Sequence, residues 1–273
     1  MEPTLDTAPG GPAAPGHDPL LTMLDLERIE SDIFRAGMVF AEPYALYGGQ
    51  VAAQALLAAG RTVEADRLPH SLHGYFLRAG DATLPTVFRV YRDRDGRSFS
   101  ARRVVATQRG EVIFNMSSSF HLRQEGVEAQ LSTMPEVPDP AGSEPYPIPR
   151  LFSMEGRAVP QPHEDPGYPT RFWARCTSEL PADPLLHASV LTYLSDISTG
   201  LGPLRTDEAK PGSSLDHAVW FHHPARMDDW VLTDLVPHAA AAGRGWYTGS
   251  LFGADGLLLA SLAQETLFRN KRR

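Results

Sequence analysis

Cysteine is almost missing from these 273 residues: Cys176 stands alone, so no disulfide closes within the chain, and the usage fits a reducing, cytoplasmic compartment. Long apolar runs are missing too. No stretch approaches the ~18 residues that a bilayer span requires, so no membrane association is expected. Positive charge is outweighed, 25 Lys and Arg against 33 Asp and Glu, and the net charge of −8 argues against nucleic acid as a partner. The first residues show no basic region followed by an apolar one, as a secretion signal would, and residues 269–273 match no lipidation or address motif. What remains, 42% hydrophobic and 21% charged, is a globular composition with length for one large domain or two ordinary ones.

Along the chain, residues 1–19 are rich in Pro, Gly and Ala and are expected to be disordered. Leu20 to Gly37 reads as a short amphipathic helix carrying Leu24, Ile29, Ile33 and Phe34, with Gly37 as its C-cap. Tyr47-Gly48-Gly49-Gln50 opens a second helix, Val51 to Ala59, closed by Gly60; lacking any charge, it should be buried nearly all round. Its two leading glycines suit either a helix N-terminus that meets an anion or carbonyl oxygen, or simply close packing on a sheet. From His70 the period changes to two. Strands are predicted at 70–77, 86–91, 98–107 and 111–121, with turns at Asp95-Gly96 and Arg109-Gly110. A buried helix followed by an antiparallel meander is an α+β unit, a sheet wrapped around a helix.

Ten prolines fall within residues 131–170, a density that opposes helix and central strand alike. The segment therefore reads as a linker dividing a first unit, 20–130, from a second, 171–273. The plan then returns: a strand at 171–177, a helix from Asp183, and strands at 214–221, 230–237, 245–252 and 257–268. The corresponding landmarks Ser71 and Ser214, and Gly110 and Gly256, lie at nearly equal offsets, as an internal duplication requires.

The second helix is the more informative. Asp183-Pro184 is an N-cap followed by a proline at the first helical position. Leu186, Val190, Tyr193, Leu194 and Ile197 form its apolar stripe, and Asp196 falls at the stripe's margin. A carboxylate there is either partly desolvated, and so in need of a partner or a task, or turned to water.

Five segments, taken in order, carry a resemblance: Gly48-Gly49-Gln50-Val51; His70 to Arg78; Asp95 to Val104; Ser213 to His222; and Ala260 to Glu265. Together they are similar to the acyl-CoA thioesterase II family, whose members hold two hotdog folds in one chain, over most of residues 24–269. The resemblance implies a double hotdog, hydrolysis of fatty acyl-CoA to free fatty acid and CoA, and neither metal nor organic cofactor. It also implies a catalytic set of Asp196, Ser214 and Gln264 around one water, with Ser213 as the other candidate for the hydroxyl. Free sheet edges and the resemblance together favour a homo-oligomer, a dimer or higher.

These residue types suit the reaction. A thiol of pKa about 8.5 leaves as thiolate without a strong general acid, so a base and neutral groups that hold the water suffice. Asp196 is the base, and Ser214 and Gln264 both donate and accept. Backbone N–H groups near Gly48 and Gly49 are candidates for the oxyanion. Arg97, Arg102 and Arg103 form the dense basic cluster that the CoA phosphates would use. Tyr75, Phe76, Trp220 and Phe221 are available to wall an acyl tunnel or simply to build core.

Two other functions fit parts of the sequence. Asp183 and His187 imitate the acid–histidine pair of hotdog enoyl-CoA hydratases, with one residue too few between them and no Asn. A non-catalytic acyl-CoA-binding protein is the other, since duplicated folds often lose a site. Cys176 lies in an apolar run and is expected to be buried and inert. His217 and His222, five apart on a strand, make a poor metal pair, and His217 is expected to be structural or hydrogen-bonding.

Overall fold

The computed structural model of the protein describes residues 18–38, 45–146, 148, 151–163 and 169–270. All but the last two residues of the expected disordered segment lie outside these.

Two helices are the core of the molecule, and both are apolar. Helix α2, Gly48–Gly60, buries every residue from Val51 to Gly60. Helix α3, Pro184–Ser195, is capped by the Asp183 side chain on the Leu185 N–H and buries all residues from His187 to Ser195. They run antiparallel. Gly49 lies against the Tyr193 carbonyl and Gly60 against Leu185, and at either glycine a Cβ would overlap its neighbour. The Tyr47 hydroxyl donates to the Tyr193 carbonyl at 2.9 Å across the same junction.

Among the described residues, a single 14-stranded antiparallel sheet wraps both helices. The first half contributes β1 (Glu27–Glu30), β2 (Ile33–Ala36), β3 (Arg67–Phe76), β4 (Thr86–Asp95), β5 (Phe99–Gln108) and β6 (Glu111–Leu122). The second contributes β7 (Pro145–Tyr146), β8 (Met154–Ala158), β9 (Arg171–Cys176), β10 (Ala209–Ser214), β11 (Asp216–Phe221), β12 (Val231–Ala241), β13 (Arg244–Gly253) and β14 (Leu258–Asn270). The spatial order β2-β4-β5-β6-β3 in one half is matched by β9-β12-β13-β14-β11 in the other. Each half is thus one helix in one five-stranded wrap, and the duplication expected from residue offsets is a duplication of topology. The halves join where β3 pairs with β11, with Leu72 opposite Val219 and Gly74 opposite His217. This is the α+β double hotdog that the sequence led us to expect.

Tight turns hold the meander in register. At Arg109-Gly110, φ of 50° and 82° puts both residues in the left-handed region, as a two-residue hairpin between right-twisted strands requires. Ala242-Gly243 repeats the geometry between β12 and β13.

Two expectations need correction. The helix predicted over 20–37 stops early: α1 spans Pro19–Leu24, and β1 and β2 follow as a hairpin. Phe34 and Ala36 are buried on alternate residues while Ile29 is exposed, so the apolar residues obey the strand period, and pairing with β4 stabilises it. The proline-rich segment 131–170 is more than a linker, because β7 and β8 extend the sheet beyond β9. Proline avoids the five residues of β8, and Pro145 occurs in the outermost strand, where an absent donor is tolerated.

Candidate active site

Asp196 immediately follows the last residue of α3 and is 2% exposed. Burial raises its pKa to about 6, while hydrogen bonds from Ser214, Gln264 and the Gly49 backbone N–H hold the rise back. That Gly49 donor belongs to the N-terminus of α2, in the other half of the molecule. The helix end places partial positive charge on the carboxylate, and Gly48 clears the space for it.

Strand β10 ends at Ser214, whose hydroxyl donates to Asp196 Oδ1 at 2.9 Å. Gln264 on β14 is fully buried, and its Nε2 donates to Asp196 Oδ1 and to Ser214 Oγ, both at 2.6 Å. Ser213 is exposed. Residues 196, 214 and 264, far apart in sequence, therefore converge, and Ser214 is the serine that joins Asp196.

Several participants escaped the sequence. Ser198 adopts φ of 58°, and its hydroxyl lies 3.1 Å from Ser214 Oγ and donates to the Asp196 carbonyl. His217, fully enclosed, sets Nδ1 2.6 Å from Gln264 Oε1 and Nε2 2.7 Å from Ser195 Oγ. Burial pushes its pKa down to about 4, so the ring is neutral. Tyr247, opposite Gln264 in the ladder, is also buried; burial and the charge of Asp196 raise its phenol well above the ordinary value. The inward alternation of β11 and β14 is the signal that could have found His217, but only with their register known.

The substrate-binding expectations fare differently. Arg102 is 1% exposed, and its guanidinium donates to Thr62 Oγ1, the carbonyls of Thr62, Arg94 and Ala101, and Asp95 Oδ1. All five N–H groups are engaged, so Arg102 is a structural residue and not a phosphate ligand. Arg103 faces the other way on β5, stacked 4.2 Å over the Tyr91 ring and paired with Asp93. Arg97 is exposed at the β4–β5 turn. Neither contacts the Asp196 cluster. Tyr75 and Trp220 are 59% and 38% exposed on the outer face and do not wall an interior tunnel. Phe76, in contrast, stands against Gly48 and packs 4.9 Å from Phe114. The Gly49 N–H is bound to Asp196, so that part of the helix end serves the carboxylate rather than an oxyanion.

Among the described residues, only one half carries this cluster. Where α2 ends, the residue in the place of Asp196 is Arg61, which donates to the Leu26 carbonyl at 2.7 Å. The register pairs Arg102 with Ser118 where the second half pairs Tyr247 with Gln264, and the Arg102 guanidinium fills the space.

A double hotdog with one buried acid–hydroxyl–amide cluster is the class that fold and site define. A family model for the acyl-CoA thioesterase N-terminal domain matches residues 41–121, and one for the C-terminal domain matches residues 128–268. Acyl-coenzyme A thioesterase 8 of Homo sapiens is 34% identical, the match covering 92% of this chain and 88% of that one. The crystal structure of an acyl-CoA thioesterase II, TesB2 from Mycobacterium marinum, is 40% identical with a TM-score of 0.77, over 92% of this chain and 97% of that one. A hot dog fold protein from Alicyclobacillus acidocaldarius shares the fold at 20% identity and a TM-score of 0.77, covering 93% of this chain and 98% of its own. The chain belongs to the acyl-CoA thioesterase II family.

Proposed function

We propose that this acyl-CoA thioesterase hydrolyses fatty acyl-CoA with Asp196, Ser214 and Gln264 holding and activating one water. The observation that carries the reading is the contact of Gln264 Nε2, at 2.6 Å, with both Asp196 Oδ1 and Ser214 Oγ. Asp196 takes a proton from the water, and the resulting hydroxide attacks the thioester carbonyl carbon. The tetrahedral intermediate collapses with cleavage of the C–S bond; CoA leaves as thiolate and is protonated, and the fatty acid is released. A carboxylate with a pKa near 6 is a better base than an ordinary aspartate and is still ionised at neutral pH.

The hydratase reading loses its support, since Asp183 caps α3 and His187 Nδ1 accepts the Met227 N–H at 3.1 Å. Cys176 is buried and its thiol pushed up, which opposes a cysteine nucleophile. Among the described residues no helix is long and apolar enough to cross a membrane. We place the protein in the cytoplasm, and its exposed Tyr75 and Trp220, on the sheet that joins the halves, favour a homo-oligomer.

The test is release of CoA thiol from palmitoyl-CoA, followed with a thiol reagent across a series of acyl lengths. Turnover that disappears in Asp196→Asn supports the reading. Binding of acyl-CoA without thiol release would make the protein a binding module instead.

A further inference from the structure

The geometry points to His217 as a positioning residue that sets the direction of the Gln264 amide, and through it the donor that faces the Asp196 carboxylate. This rests on the water-activation reading above. The side chains of Ser195, His217, Gln264 and Asp196 form an unbroken buried chain, each link between 2.6 and 2.7 Å.

The polarity of that chain is dictated from one end. An ionised carboxylate accepts only, and the Ser214 hydroxyl already donates to it, so both neighbours of Gln264 Nε2 require donors. The amide NH2 must face them, which turns Oε1 toward His217. Nδ1 of His217 must then carry the ring's proton. A neutral imidazole has one N–H, so Nε2 is bare and draws the single Ser195 hydroxyl proton away from the Thr192 carbonyl, which lies 2.9 Å from the same oxygen. Read from the other end, an Nδ1–H at residue 217 is what makes the reverse orientation of the amide unfavourable: a flipped Gln264 would face that N–H with its own NH2. Without the ring, Oε1 would lie buried and unpaired, and the amide would be free to turn its oxygen toward Asp196.

The remaining groups around Asp196 do not replace this control. Ser198 follows α3, Ser214 ends β10, Asp216 and His217 come from β11, Tyr247 from β13, and Gly48 and Gly49 from α2. Of these, Tyr247 stays protonated, and Asp216 accepts the backbone N–H of Glu265. None touches Gln264 Oε1, for which His217 is the hydrogen-bonding partner.

The first test is the 15N spectrum of histidine-labelled full-length protein at neutral pH. The expected result is an Nδ1-protonated, Nε2-bare ring for His217, a form less common in free histidine; an Nε2-protonated ring overturns the proposal. The second is kinetic. His217→Leu should lower kcat on palmitoyl-CoA by about tenfold to a hundredfold with KM within threefold, and should move the acidic limb of kcat/KM to higher pH, because the carboxylate loses its fixed donor. His217→Asn, whose side-chain NH2 reaches about where Nδ1 sits, should recover most of kcat and return the limb. A His217→Leu enzyme with wild-type kcat and an unmoved limb overturns the proposal, and the ring measurement decides it if that variant does not fold. Wild-type turnover in Asp196→Asn instead removes the water-activation reading, and the histidine tautomer distinguishes the two failures.

Discussion

Gly48 lies directly beneath the Asp196 carboxylate: a methyl group at residue 48 would overlap Asp196 Oδ2 and come within 2.8 Å of the Phe76 ring. The two residues belong to different halves of the molecule, so the second half's carboxylate depends on a missing side chain in the first. Gly48→Ala should therefore lower kcat at least tenfold. In an open helix the substitution would stabilise, since alanine restricts the unfolded chain. Here overpacking opposes that gain, and the melting temperature should fall by an amount equivalent to about 1–3 kcal/mol. An active and more stable Gly48→Ala enzyme would show that the carboxylate tolerates displacement.

The two adjacent serines separate cleanly. Ser214 Oγ touches both Asp196 and Gln264, while Ser213 is exposed. Ser214→Ala removes a hydroxyl bound to the proposed base and should reduce kcat by about tenfold to a hundredfold with little change in KM. Ser213→Ala should leave both constants within twofold. Steady-state kinetics on one acyl-CoA decides between them, and the opposite pattern would transfer the role to Ser213.

Arg102 is expected to matter for folding and not for CoA. Arg102→Leu leaves Thr62 and two further carbonyls without their donors inside the first half. The charge is nearly fully buried, although its partner Asp95 is 52% exposed, which weakens that ion pair. Loss of this network should destabilise the protein by roughly 2–4 kcal/mol in denaturant titrations. Whatever fraction folds should keep the wild-type KM for acyl-CoA. A raised KM at unchanged stability would return Arg102 to the substrate.

How much of this was legible beforehand depends on the range of the interaction. Asp183-Pro184 announced α3 because an N-cap and a first-turn proline act within four residues, and the same spacing carried Asp196 to the helix margin. Ser214 and Gln264 carry no local signal. Their meeting depends on β10, β11 and β14 lying side by side, and only the family resemblance supplied it. His217 lies near His222 in sequence, but its partner is Gln264 on the next strand; continuing the Ala218–Ala263 register by one pair brings the two together. Arg102 looked like a surface cation because strand alternation reveals parity but not which face is inward. The helix predicted over 20–37 failed for a related reason: pairing with β4 is a contact about fifty residues away, and it overrides local periodicity.

The acid range offers the sharpest thermodynamic test, because Asp196 and His217 titrate with opposite consequences. Asp196 has a pKa raised from 3.8 to about 6, so between those values the folded protein holds a proton that the unfolded chain releases, and stability falls as pH rises. His217 has a pKa lowered from 6.5 to about 4, so there the unfolded chain holds the extra proton, and stability rises with pH. Each shift of about two units corresponds to roughly 3 kcal/mol, and in the wild-type protein the two slopes nearly cancel between pH 4 and 6. Removing one should expose the other. Asp196→Asn, nearly inactive, should gain about 2–3 kcal/mol at neutral pH and become steadily less stable on acidification. His217→Leu should show the reverse slope and lose its advantage at low pH as the pH is raised through 6. Urea unfolding of the three proteins at half-unit pH steps measures this directly. Parallel curves for all three would mean that neither group is held in the folded protein with its proton affinity displaced.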